Sequence, residues 1–334
     1  MGGSSLKRRR SMVDQSSARI LRGPEWYTTH CPRSTLTARR RFATLHLATA
    51  LCCLGCAALH AQSDQVLTQV LVTPPHSLAV GRLTRSDIEI QQGKHKAEQV
   101  TALVREAPPL EVGILLDESG SARHSALEPF LAASALAWAT AALRRCGGNA
   151  FLLAFNDQVI VSTGLTSDVS QLKQTLNQLR PIGGSAVWDA LISAAEKFDS
   201  LSPIGRSAAR VVVLITDGSD NASRANEREC LKYLQMSGVR VYAVAFSSGA
   251  VPAGRELLGD VPDQTGGKAF FPRGESEVDA VFTELDQDLS SSFLVGFAPQ
   301  GKDGRIHPLR ISLKNSPNAA LRSQSGYFAP LEPR

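Results

Sequence analysis

Beyond its first 61 residues the chain has little cysteine, no basic stripe and none of the common short catalytic signatures. Of the 6 cysteines, Cys31, Cys52, Cys53 and Cys56 fall in the N-terminal segment, leaving Cys146 and Cys230. Cys146 ends one predicted helix at the bottom of the sheet inferred below, and Cys230 lies in the first turns of another near its top. That separation exceeds the roughly 7 Å a disulfide tolerates between Cα atoms, so two buried, unpaired thiols are expected. Positive charge is as unevenly placed. Residues 1–61 hold 10 of the 36 Lys and Arg and 2 of the 31 acids, leaving 26 basic against 29 acidic residues, a net −3. That balance argues against a nucleic-acid partner. No G-x-S-x-G and no H-E-x-x-H occurs, which speaks against a serine hydrolase and a zinc peptidase. Histidine beyond the leader is confined to His76, His95, His124 and His307, none at a strand end typical of a general base. Only His124 lies near the motif described below, and it reads as an exposed loop residue.

What is present begins with an export pattern. "TARRRFATLHLATALCCLGCAALHAQ" places Arg39, Arg40 and Arg41 before an apolar run from Phe42 to Leu59, followed by Ala61-Gln62. Small residues at the end of the run suit cleavage after Ala61, and "RRRF" resembles a twin-arginine signal. Left uncleaved, the run has about the length of a membrane span. "CLGC" lacks the leading aliphatic residue of a lipobox, and the stretch before the signal is long enough that translation could start downstream of Met1. At 334 residues the chain has room for one large domain and a smaller one.

From Glu111 onward the pattern alternates. "LEVGILLD", "AFLLAFND", "ARVVVLITDGSDN" and "VRVYAVAFSS" are near-continuous apolar runs, as strands covered on both faces must be. Between them "SALEPFLAASALAWATAALRR", "DVSQLKQTLNQL", "SAVWDALISAAEKF" and "ANERECLKYLQMSG" have helical spacing, with capping Asp168 and helix stops at Gly147-Gly148. "QVIVSTGLT" reads as a hairpin strand, "KAFFPR" as a short strand, and "SEVDAVFTELDQDLSS" as the last helix. The expected fold class is α/β: a Rossmann-like, doubly wound, mostly parallel sheet with a small flanking β-module. The expected organisation is a leader over 1–61, an N-terminal β segment over 62–108, the α/β domain over 109–292 and a C-terminal β segment over 293–334. The two β segments are expected to pair, the C-terminal one containing "LRISLK", which alternates apolar and polar residues.

Three loops at or near predicted strand ends carry the chemistry. They are Asp117-Glu118-Ser119-Gly120-Ser121, Gly183-Gly184-Ser185 and Thr216-Asp217-Gly218. Ligands of open α/β sheets bind in the crevice at those ends, so Asp117, Ser119, Ser121, Ser185 and Asp217 are candidates to converge. Taken singly, Ser119 or Ser121 suits a helix cap, and Asp217 a turn before Gly218. Asp189 reads as a structural acid, Asp220 and Asn221 as turn residues, and Glu118 as a solvated rim charge. Together, two carboxylates and three hydroxyls match a hard divalent cation: Mg2+, or Mn2+ or Ca2+.

With these residues the chain resembles the von Willebrand factor A domain and its metal-ion-dependent adhesion site. The family's DxSxS motif stands as Asp117, Ser119 and Ser121, its later Thr is occupied by Ser185, and its second Asp matches Asp217. The resemblance covers about residues 109–290, and the flanks look like bacterial exported relatives of an acidobacterial type. Ser185 keeps the hydroxyl but loses the methyl that restricts its rotamer, and Ala122 replaces a Met often found after the motif. The resemblance implies direct coordination by the three hydroxyls, with Asp117 and Asp217 acting wholly or partly through water. It further implies an open position for an Asp or Glu carboxylate of a partner protein. The implied function is a metal-dependent, non-enzymatic interaction module, exported to the periplasm, the envelope or the medium. No nucleic acid is expected as a partner, and a membrane only through an uncleaved leader. The alternatives are a metal-dependent hydrolase and a partner subunit of an ATP-driven remodelling complex.

Overall fold

The central strands are buried from end to end because they are apolar on both faces. In the computed structural model, which describes residues 68–75, 83–96, 100–104, 108–122, 125, 127–176, 182–201, 208–217, 220–246, 255–316 and 318–331, they form one six-stranded sheet. Its members are β5 (Leu110–Asp117), β6 (Gly148–Phe155), β7 (Val159–Ser162), β8 (Ala209–Thr216), β9 (Val239–Ala245) and β10 (Lys268–Phe270). They lie in the order β10-β9-β8-β5-β6-β7, all parallel except β7, which runs antiparallel to β6. Every residue of β5, β8 and β9 is buried. The chain leaves β5 toward β6 on one side and later returns to β8 on the other. The C-terminal end of β5 is therefore the topological switch point, where doubly wound folds keep their crevice.

Helices cover both faces. On one lie α1 (Glu128–Cys146), α2 (Ser170–Leu176) and α6 (Glu275–Ser291), packing Leu131, Ala135, Leu172, Phe282 and Leu285 against Ile114, Leu152 and Val213. On the other lie α3 (Val187–Leu201), α4 (Glu227–Ser237) and α5 (Arg255–Gln264), with Leu191, Phe198, Leu234 and Leu258 against Leu115, Phe151 and Val212. Each fully buried Leu, Ile, Val or Phe among them contributes about 1.5–3 kcal/mol. Local chemistry sets the helix ends. Asn226 and Glu229 form a capping box on α4, Gly238 closes it in the left-handed conformation, and Asp168 accepts from the Ser170 amide at 3.1 Å before α2. Cys230 is buried and free; Cys146 is also free but only half-buried, against the expectation of burial for both.

Arg210 anchors the N-terminal end of β8. Its guanidinium meets Glu111 at 3.2 Å and Asp199 at 2.6 Å and donates to the carbonyls of Ser237 and Phe198.

The flanking strands build two small sheets rather than one. β11 (Phe293–Phe297) runs antiparallel between β1 (Thr68–Val72) and β4 (Val100–Val104). β12 (Ile306–Leu313) pairs with β2 (Ile88–Gln92) and β13 (Gly326–Phe328), and β2 also pairs with β3 (His95–Lys96). Val72, Ile90, Phe293, Phe297, Ile311 and Tyr327 belong to the core the two sheets share. Arg240 of β9 donates to Thr73 and Ser292, and Arg322 pairs with buried Asp288 of α6, so polar contacts tie this module to the α/β layers. Among the described residues no helix is long and apolar enough to cross a membrane. The leader, His76, His124 and Gly218 lie outside those residues.

Candidate metal centre

Because β5 ends at the switch point, the chain turns there beside β8 and β6. Asp117, its last residue, is 1% exposed and becomes the hub of the crest. Its carboxylate accepts from the Ser119 amide at 3.0 Å, the Ser185 hydroxyl at 2.7 Å and the Thr216 hydroxyl at 2.6 Å. Three segments separated by as many as 99 positions meet on one carboxylate. The Ser119 and Ser121 hydroxyls lie 3.2 Å apart, as alternate residues of an extended loop should. Asp217 follows Thr216 directly, is 8% exposed, and its charge acts on Asp117. Asp117, Ser119, Ser121, Ser185 and Asp217 thus all sit at the crest.

The helix-cap reading of the two serines does not hold. Helix α1 starts at Glu128 with Leu127 as its cap, several residues beyond Ser121, and the Ser125 hydroxyl accepts from the Leu127 amide.

Backbone contacts hold the Ser185 loop in place. Gly120 donates to the Gly183 carbonyl at 2.9 Å and Ile182 to the Glu118 carbonyl at 2.9 Å, which ties the first loop to the second. The Asn221 side chain accepts from the Ser185 amide at 2.9 Å, while Asn221 and Ala222 amides donate to the Ser185 carbonyl. A Cβ on Gly184 would stand 2.6 Å from the Asn221 side-chain oxygen, so only glycine permits this approach. Asp220 accepts from the Val187 amide and the Ser223 hydroxyl, so it fixes the start of α3 rather than only forming a turn. Asp189 accepts from the Arg224 and Ala225 amides at 3.0 Å, a structural use of its carboxylate.

Two features escaped the sequence reading. Thr216 is a direct partner of Asp117, yet a threonine ending a β-strand is too ordinary to signal it. Glu118 is 5% exposed, not a solvated rim charge. Its amide bonds the Phe155 carbonyl as the chain leaves the sheet, and its side chain turns toward Glu128 of α1.

The electrostatics favour a counter-cation at the crest. Burial pushes the Asp117 carboxyl above its usual range, and Asp217 adds to the effect against the three hydrogen bonds. All three hydrogen-bond donors to Asp117 are neutral, and among the described residues no Lys, Arg or His pairs with it. Among the described residues no group of three His, Cys, Asp or Glu could hold a metal ion. Any ion here would be held by two carboxylates and three hydroxyls, an all-oxygen set suited to hard cations.

A doubly wound α/β domain with an oxygen-rich crest at its switch point is the class that fold and site define. The family model of the von Willebrand factor type A domain matches residues 111–284, and the chain belongs to that family. Solved structures are similar to it in fold. An aerotolerance-related membrane protein from Bacteroides fragilis is 18% identical, with 54% of this chain and 98% of that one covered and a TM-score of 0.43. A von Willebrand factor type A protein from Catenulispora acidiphila is 14% identical over 73% of each chain, TM-score 0.44. Proximal thread matrix protein 1 of the mussel byssus, solved with a zinc-occupied MIDAS motif, is 17% identical over 60% of this chain and 50% of that one, TM-score 0.43. No curated protein matches the chain.

Proposed function

We propose that the chain is an exported, metal-dependent protein-binding module. Ser119, Ser121 and Ser185 would hold a divalent cation through their hydroxyls, with Asp117 and Asp217 supplying the balancing charge. The observation that carries this reading is the meeting of Ser119, Ser185 and Thr216 on buried Asp117, beside a second carboxylate and, among the described residues, without a basic partner for Asp117. When bound, the ion supplies a Lewis-acidic position open to an Asp or Glu carboxylate of a partner protein. The protein's own part is positional. Asp117 orients the Ser185 hydroxyl, Thr216 fixes Asp117 from β8, and Asn221 holds the backbone that carries Ser185. Neutral hydroxyl ligands leave the cation's charge largely unquenched, which suits capture of an anionic group better than activation of a hydroxide. Arg39, Arg40 and Arg41 before the apolar run from Phe42 to Leu59 support export to the periplasm, the envelope or the medium. Magnesium is the expected ion, with manganese or calcium as substitutes.

The test is a pull-down from envelope fractions with Mg2+ and with EDTA, using the wild type and Asp217→Ala. The reading expects partner capture that EDTA and Asp217→Ala both abolish. Capture that neither affects would refute it. EDTA-sensitive turnover of an ester or phosphoester would assign an enzyme instead.

A further inference from the structure

The end of the sheet opposite the crest holds a second group of buried charges. Arg240, near the start of β9, is 2% exposed, and Asp288, in the last turn of α6, is 0% exposed. The Arg240 guanidinium donates to the Leu71 carbonyl at 2.6 Å, to the Thr73 hydroxyl and to the Ser292 hydroxyl at 3.2 Å. The stretch that matches the family, 111–284, contains Arg240 and none of these three acceptors. Asp288 has one ion-pair partner among the described residues, Arg322. Both charges are therefore met from the flanks of the α/β domain.

Arg322 begins a short segment, Arg322–Ser325, that runs across this end of the sheet. Thr73 and Arg322 exchange both backbone hydrogen bonds, at 2.8 and 2.9 Å. The Arg322 guanidinium also donates to the Gly267 carbonyl at 3.2 Å. Gln324 bridges Thr265, and the Ser325 amide donates to the Gln264 carbonyl at 2.8 Å. The Gln235 side chain of α4 donates to the Ser325 hydroxyl at 3.1 Å. A Cβ on Gly266, at a φ of +80°, would stand 2.6 Å from the Ser323 carbonyl carbon, so the segment lies directly on the turn into β10. These contacts reach α4, the end of α5, the turn into β10, α6 and the residue after β1.

Removing one partner of a buried ion pair leaves a charge with neither water nor counter-charge, which is strongly destabilising. The segment cannot lift away without stranding Asp288, and β1 cannot leave without stranding Arg240. We propose that Arg322–Ser325 is a strap that interlocks the β-module with the α/β domain, so that the two open only together. Arg322 neutralises Asp288, and through Thr73 the strap pins the strand that supplies Arg240 with its acceptors. The device lies away from the crest and needs no metal.

The test is peptide-resolved hydrogen exchange of the full chain across a urea series in EDTA, reading β8 for the α/β domain and β12 for the β-module. In the wild type both strands are expected to lose protection at one midpoint. Arg322→Met should lower both midpoints together, by roughly 1–2 M. Adding Asp288→Asn removes the stranded charge and should recover part of that loss, and it supplies the folded comparison if Arg322→Met alone does not fold. Arg310→Met, at an exposed position of β12, should leave both midpoints within about 0.3 M. Loss of protection in β12 at lower urea than in β8 overturns the proposal. So does an Arg322→Met effect no larger than that of Arg310→Met, or a double variant no more stable than Arg322→Met.

Discussion

Asp117→Asn removes a charge while keeping a shape, and so separates folding from ion binding. The native carboxylate is 1% exposed and accepts from the Ser119 amide and the Ser185 and Thr216 hydroxyls. An asparagine oxygen can still accept from Ser119, and the two hydroxyls can rotate to accept from its amide. The three bonds become neutral ones, each weaker by about 1 kcal/mol. Against that loss, the burial and the Asp217 repulsion that raise the Asp117 carboxyl both disappear. The metal-free fold should therefore change by no more than about 2 kcal/mol. The ion-dependent increment is different. At one hundred times its dissociation constant a ligand stabilises by about 2.7 kcal/mol. For a domain of this size that corresponds to a rise of roughly 5–10 °C. Thermal unfolding of the wild type in Mg2+ against EDTA should show this rise, and Asp117→Asn should show none. An undiminished rise in Asp117→Asn would refute the reasoning, as would loss of the fold in EDTA.

Three further outcomes follow from the packing. Burial, then Glu128 and Asp117, push the Glu118 carboxyl up to about 7. A carboxyl that binds its proton more tightly when folded costs stability as pH rises from its unfolded value toward 7. Glu118→Gln should therefore gain stability at pH 8 relative to pH 5, by at most about 3 kcal/mol, read from urea midpoints in EDTA; no relative gain would contradict this. Arg210→Met strands Glu111, whose side chain is 11% exposed, and leaves two backbone carbonyls without their donor. It should cost about 3–5 kcal/mol, and Glu111→Gln in the same chain should recover part of that in a denaturant double-mutant cycle. Gly148→Ala puts a Cβ 1.9 Å from the Leu110 carbonyl oxygen at a φ of +113°. A loss of more than about 2 kcal/mol is expected by chemical denaturation, with Mg2+-dependent stabilisation retained.

The layers were legible because burial on both faces forces continuous apolar runs such as "VVVLIT", and because helix ends carry their own chemistry at Asp168 and Asn226. Helix α5 was not legible. Its sequence "RELLGDVPDQ" carries a glycine and Pro262, both poor helix formers, although the structure accommodates both. The alternation in β12 predicted a half-exposed antiparallel strand, which its exposure pattern bears out for Leu309 to Leu313. It does not say which partners a strand takes, and the flanks divide into two sheets. At the crest, spacing alone aligned Ser119 with Ser121. The role of Thr216 and the inward turn of Glu118 depend on β8 and α1 packing around Asp117, relations that no local pattern encodes.

The most direct measurement is calorimetric titration of the chain with Mn2+ and Mg2+. The account predicts uptake of a single ion, lost in Asp217→Ala and in Asp117→Asn. Absence of binding by either ion, or binding that survives both substitutions, would contradict it.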